Sequence, residues 1–176
     1  YLPLTASNNM ALTKEITLSR LQDKFGDAIL SHDEPYGLLT IEVPADRNLD
    51  VIGFLKNESD LAFGYLTDLC AVHMPDQKGR EIAVVYHLHS LTNNVRIRIK
   101  CWLPESNTDI ASATGLYAGA NWMERETYDF FGVRFLGHPN LKRILNVDHM
   151  EIFPMLKQYP LEDSSREDKD DRFFGR

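Results

Sequence analysis

The chain has 176 residues, a hydrophobic fraction of 43% and a formal net charge of −7. That size suits one domain with an appended tail, and the apolar fraction is enough for a real core. The acidic balance argues against general nucleic-acid binding and gives no long-range pull toward an anionic membrane, and no apolar run approaches the roughly 20 residues that span a bilayer.

Residues 1–11 are polar and patternless, and read as a loose lead-in; Tyr1 in place of an initiator methionine suggests a trimmed start. Thr13 is placed to cap a helix running to about residue 25, with Ile16, Leu18, Leu21 and Phe25 as its stripe and Gly26 at its exit. Short strands are expected over 28–32 and 37–43, flanking the turn signature Asp33-Glu-Pro-Tyr-Gly37. Asp46 follows Pro44 as a candidate N-cap for a helix over about 47–56, where Leu49, Ile52 and Leu55 keep helical spacing. Three strands follow, over 63–74, 81–90 and 95–103. In the second, Ile82, Val84, Tyr86 and Leu88 take one face, and Glu81, Ala83, Val85, His87 and His89 the other. In the third, Val95, Ile97, Ile99 and Cys101 face away from Arg96, Arg98, Lys100 and Trp102. The last two strands form an antiparallel hairpin turned at Asn93-Asn94. A weak helix is possible over 109–117. Asn121, with Glu124 three residues on, forms a capping-box pattern for a helix ending at Gly132.

The fold class is therefore α+β and two-layered: helix, two strands, helix, three strands in a mixed sheet with its helices on one face, then a short helix. Residues 1–136 form this domain. Residues 137–176 carry Pro139, Pro154 and Pro160 and the acidic run from Glu162. They read as an extended arm without a core of its own, ordered by lying on something else.

The segment 121–143 sets Glu124, Arg125, Glu126, Asp129, Arg134, His138, Lys142 and Arg143 among Trp122, Tyr128, Phe130, Phe131 and Phe135. A surface helix has no need of so many aromatics, and a core helix does not hold so many unpaired charges. Paired charges and buried aromatics follow, within the chain or against a partner. Arg125 and Asp129 stand four apart and can pair with each other. Glu124, Glu126 and Asp129 offer an acid/base set. The structural alternatives of cap, ion pair and helix-dipole contact account for the same residues.

Other constellations are weaker. His87 and His89 share a strand face but lack a third metal ligand in sequence reach. Arg96, Arg98 and Lys100 form a basic stripe that reads as phosphate-binding or, given the acidic total, as a solvated or partner-facing sheet face. His138-Pro139 has no Ser or Cys nucleophile nearby, and Gly115 and Gly119 do not make a phosphate loop. Cys70 and Cys101 match no metal spacing and read as two buried thiols in a reducing compartment. The residues alone suggest an assembly subunit without its own cofactor or metal site.

The run from Glu124 to Leu145, Glu-Arg-Glu-Thr-Tyr-Asp-Phe-Phe-Gly-Val-Arg-Phe-Leu-Gly-His-Pro-Asn-Leu-Lys-Arg-Ile-Leu, resembles the signature of the hydrophilic 30-kDa subunit (the C subunit) of respiratory complex I, the NADH:quinone oxidoreductase. Leu66-Thr-Asp-Leu69, Val85-Tyr-His-Leu-His-Ser90, Arg96-Ile-Arg-Ile-Lys100 and Ala120-Asn-Trp122 resemble it too. Two departures stand out: Lys142 replaces the usual Arg, and the run 152–160 keeps Pro154, Lys157 and Pro160 but lacks the family's Gly-His and Arg.

The resemblance implies a cofactor-free subunit of the peripheral arm. It would pack on the large quinone-site subunit and near the ferredoxin-like iron–sulfur subunit. The complex would pass electrons from NADH through FMN and iron–sulfur clusters to quinone, coupled to proton translocation. It implies a peripheral position on the cytoplasmic side of the bacterial inner membrane (the matrix side in a mitochondrion), with the membrane met only through the complex and no nucleic acid bound. Glu124, Arg125, Glu126, Asp129, His138, Pro139, Arg143 and Lys157 are the expected interface residues. The alternatives are an equivalent subunit of a related complex with another electron donor, or a stand-alone acid/base enzyme using Glu124, Asp129 and His138.

Overall fold

The computed structural model describes residues 12–160; the expected lead-in and the acidic end of the arm lie outside the described residues. Helix α1 spans Lys14–Phe25, capped by Thr13, whose hydroxyl accepts the Ile16 N–H at 3.3 Å, and it leaves through Gly26 at φ 49°. Strands β1 (Ser31–Asp33) and β2 (Leu39–Val43) follow, joined through Pro35–Gly37 with Tyr36 in the left-handed region at φ 56°. Helix α2 spans Asn48–Asn57. Asp46 is not its cap: it sits in a short 3-10 turn, Ala45–Arg47, that feeds the helix with no side-chain cap bond. Strands β3 (Tyr65–His73), β4 (Ile82–Ser90) and β5 (Val95–Leu103) complete the main sheet.

The sheet order is β1-β2-β5-β4-β3, antiparallel except where β2 lies parallel to β5, with Ile41 beside Ile99. The alternation read from sequence decides its two faces. Ile41, Ile99, Tyr86 and Leu69 stand in one cross-strand row, with Leu39, Ile97, Leu88 and Leu66 and with Val43, Cys101, Val84 and Ala71 flanking it. These residues form one core with Leu21 of α1 and Val51, Ile52 and Leu55 of α2. Filling it with side chains such as Tyr86 and Leu69 stabilises the fold by roughly 1.5–3 kcal/mol each. Ala83 and Val85 are also buried but stand outside this core, on the face no helix covers, where neighbouring side chains shield them. Cys70 and Cys101 are free and point to opposite faces.

The weak helix read over 109–117 is not formed. That stretch holds strand β6 (Asp109–Ala111) and a 3-10 turn, Ala113–Gly115. Helix α3 (Ala120–Phe131) then crosses to strand β7 (Arg134–Leu136), which pairs parallel with β6. Three-residue strands carry too little alternation to be recognised, and this pair exists because α3 brings its ends together. α3 lies over β3, and the Thr127 hydroxyl reaches the Leu69 carbonyl at 3.5 Å.

Candidate functional site

Helix α3 carries the charges that sequence reasoning singled out, and the fold gives them separate structural partners. The helix begins at Ala120, with Gly119 at the N-cap position and no side-chain cap. Asn121 is thus inside the helix, and the capping box is not formed. Glu124 is instead claimed by the turn before the helix. Its carboxyl accepts the Ser112 hydroxyl and the Ala113 N–H, each at 2.6 Å. It is fully buried, and no cation lies within salt-bridge distance among the described residues. Burial raises its pKa from 4.5 to about 7, and the two hydrogen bonds oppose that rise. Next to it is another buried polar pair that the sequence did not flag: the Asn48 amide donates to the Tyr86 hydroxyl and to the Ala111 carbonyl, at 3.2 and 2.8 Å.

Arg125 and Asp129 do not pair with each other. Arg125 donates to the carbonyls of Lys142 and Arg143 at 3.1 and 3.0 Å, with its guanidinium 5.2 Å from the centre of the Trp122 ring. Asp129 pairs with Arg143 at 2.8 Å, both side chains being buried. One Asp129 oxygen accepts three successive backbone N–H groups, of Ile144, Leu145 and Asn146, at 3.0, 2.8 and 2.9 Å. The other takes Arg143 and the Asn146 side-chain amide. Burial alone would raise this carboxyl's pKa. The Asn146 N–H, Arg143, and the Leu145 and Ile144 N–H groups outweigh burial and hold it well below its ordinary range. Arg143 also donates to the carbonyls of Asp129, Met150 and Ile152. The arm from 143 to 152 thus folds around one buried ion pair.

Two further anchors fix the arm. His138 donates from Nε2 to the Asn121 carbonyl at 3.1 Å and accepts the Asn140 N–H on Nδ1. Lys157 contributes its backbone: its N–H donates to Nδ1 of His73 at 2.8 Å, and Nε2 of that buried ring lies 3.2 Å from Glu105. His73 carried no signal in sequence, since nothing local foretells a contact across 84 residues. At the helix exit Gly132 adopts φ 75°, and a Cβ there would stand 2.7 Å from the Phe153 ring. Leu141, Phe153, Leu156 and Tyr159 pack on the core. Residues 137–160 are therefore laid on the chain's own helix and sheet end. Of the eight expected interface residues, Glu126 and Pro139 are not tied down by such bonds, while Glu124, Arg125, Asp129, His138 and Arg143 bond within the chain through their side chains.

The acid/base trio is not assembled: Glu124 faces Ser112, Asp129 faces the arm, and His138 faces the start of α3. The groove bounded by Glu105, Gly132 and Phe153 contains none of the three. Among the described residues no His, Cys, Asp and Glu cluster fits a metal, and no helix is long and apolar enough to cross a membrane.

Residues 41–165 match the family described as the 30 Kd subunit of respiratory-chain NADH dehydrogenase. The chain is 45% identical over 154 residues to the C subunit of NADH-quinone oxidoreductase from Roseiflexus sp. (strain RS-1), covering 86% of this chain and 87% of that one. It is 42% identical over 162 residues to the protein of the same name from Citrifermentans bemidjiense, covering 92% and 95%. Among solved structures it is similar to the trypsin-resistant fragment (1-134) of Nqo5, with a TM-score of 0.62 at 28% identity over 71% of this chain and 99% of that one. A chain of the membrane-bound sulfane sulfur reductase, an archaeal respiratory membrane complex, shares the fold with a TM-score of 0.71 at 24% identity, over 84% and 85%. The match across the sheet, α3 and the arm makes the conclusion plain: the chain belongs to the family of the 30-kDa subunit of respiratory-chain NADH dehydrogenase.

Proposed function

We propose that this chain is a cofactor-free structural subunit in the peripheral arm of NADH:quinone oxidoreductase. It holds neighbouring subunits, the quinone-site and ferredoxin-like iron–sulfur subunits among them, in fixed register. Electrons pass from NADH through FMN and iron–sulfur clusters to quinone in those neighbours, and the complex couples this to proton translocation. The arm stands on the membrane's cytoplasmic or matrix side. The observation carrying the reading is the use made of the α3 charges. Groups that would serve acid/base chemistry are tied to the Ser112 turn and to the arm, each through two or more hydrogen bonds. Transfer between clusters needs fixed distances, and such a braced subunit supplies rigidity.

The 45% identity to a subunit named for NADH and quinone favours that donor over a related complex with another one. Purification from the native host through a tag on this chain tests the reading. Recovery with iron–sulfur subunits and NADH:quinone activity is expected, and deletion of the chain is expected to abolish both. A chain that purifies alone with an activity of its own, or a deletion strain whose complex is intact, would refute it.

A further inference from the structure

The main sheet has one face packed by helices and one face bare. The bare face carries Thr40 and Glu42 of β2, Arg96, Arg98, Lys100 and Trp102 of β5, Ala83, Val85, His87 and His89 of β4, and Asp68 and Cys70 of β3. Its two ends differ in how their cations are paired. At one end Glu42 takes Arg80 at 2.7 Å, the Trp102 N–H at 2.9 Å and Lys100 at 3.8 Å, and both cations stack on the Trp102 ring. Both cations at that end therefore have a carboxylate partner. At the other end Arg98 stands directly across from His87, and Arg96 across from His89. Among the described residues no carboxylate comes within 4.0 Å of either arginine.

Two polar atoms there are buried without a hydrogen-bond partner, Nε of Arg98 and Nε2 of His89, and the His89 residue is only 8% exposed. A buried polar atom left unpaired costs about 1–3 kcal/mol, so this cluster is incompletely satisfied by the chain's own groups. Asp68, on the edge strand, flanks the cluster from one side, and on the other Thr40, which accepts from Arg98 at 3.4 Å, stands between it and Asp33. In a chain of net charge −7 this leaves two guanidinium groups without an ion-pair partner among the described residues, on a flat, partly apolar platform.

We propose that the Arg96–Arg98–His87–His89 end of the bare sheet face docks an acidic segment of a neighbouring subunit, its carboxylates meeting the two guanidinium groups. The proposal rests on the chain's being a subunit of the complex. A protein carboxylate fits better than a polyanion. The whole chain repels nucleic acid at long range, whereas a neighbour held in place supplies its carboxylates locally. Flat sheet, exposed Tyr65 beside His89, and a guanidinium pair suit the polar rim and aromatic content of an interface between subunits.

Zero-length carbodiimide coupling in the purified complex tests this, using Arg96→Lys to provide an amine at an exposed position. A cross-link from position 96 to an Asp or Glu of another subunit is expected. Arg96→Glu should lower recovery of that subunit with the tagged chain by about tenfold, and placing Lys at the cross-linked carboxylate should restore it. Coupling only to carboxylates at 162–171 of the same chain would overturn the proposal and assign the patch to the chain's own acidic end. So would acetic-anhydride labelling of position 96 as fast in the complex as in the free chain, or unchanged recovery with Arg96→Glu. In these last outcomes the wild-type chain still brings down its complex, and the assembly reading survives. If the wild-type chain brings down no iron–sulfur subunit, it is the assembly reading that fails.

Discussion

Glu124 and Asp129 lie five residues apart on one helix, both with no exposed surface, and their carboxyls are driven in opposite directions. Asp129 meets a guanidinium and three backbone N–H groups and stays ionised. Glu124 meets one hydroxyl and one N–H without a cation, and its pKa climbs to about 7. Equal burial has therefore not set the charge. The number and sign of donors has, and donors come from chain segments far away in sequence. The ionised residue organises the arm. The residue that resists ionisation braces the turn before the helix, accepting the Ser112 hydroxyl and the Ala113 N–H.

The largest test of that contrast is Asp129→Ala, which leaves the Arg143 charge without its carboxylate and three amides unpaired. A loss of about 3–5 kcal/mol is expected, read by denaturant unfolding. Limited proteolysis should then cut within 143–152, which Asp129 otherwise holds closed. Asp129→Asn keeps the shape but not the charge. If it matched wild type in stability, the ionised state would not be what organises the arm. Arg143→Ala should cost slightly less, about 3 kcal/mol, because the three amides still serve the carboxylate it strands. The pair also fixes a direction in pH. Since the Asp129 pKa is depressed in the fold, its contribution is present above its ordinary value of 3.8 and is lost as pH falls below that value. Arg143→Ala should flatten that acid limb.

Gly132→Ala tests the arm by shape instead of charge. The residue sits at φ 75°, and an added Cβ would come within 2.7 Å of the Phe153 ring. Backbone strain and displacement of the ring together should cost about 2 kcal/mol in thermal unfolding. Adding Phe153→Ala should make the two changes non-additive, since only the φ strain would then remain at 132. Full additivity would mean the ring does not rest on this glycine.

How much of this was legible beforehand follows from range. Thr13 as a cap, the hairpin at Asn93-Asn94 and the face alternation of β4 and β5 depend on neighbours within a few residues, and the structure has them. Glu124 also has the local spacing of a capping box, yet Ser112 and Ala113 displace Asn121 as its partners because the preceding turn folds back against the helix. Asp129 was read as the partner of Arg125 by i,i+4 spacing. The arm brings Arg143 with three aligned amides, and one helical ion pair worth a few tenths of a kcal/mol does not compete. The density of charge and aromatics was thus a correct sign of a crowded polar site. Its wiring depended on residues 11 to 18 positions away, and at His73 on a segment 84 positions away.

The smallest effect, and the one of opposite sign, belongs to Glu124. Its proton is held more tightly in the fold than in the unfolded chain. The associated stability is complete below about 4.5 and is lost as pH rises through about 7. Glu124→Gln keeps an acceptor for the Ala113 N–H without the ionisation, while its amide nitrogen meets the Ser112 hydroxyl, which turns from donor to acceptor. At pH 8 it should be stabilising by about 1 kcal/mol, less than the full ionisation penalty because an amide accepts more weakly than a carboxylate. At pH 4 the difference from wild type should vanish or reverse. Unfolding measured for both proteins across pH 4–8 isolates this group, since the acid loss at Asp129 is common to the two. A variant that is destabilising by the same amount at every pH would show that the fold leaves the Glu124 pKa at its unfolded value, and that burial does not set the two carboxyls of α3 apart.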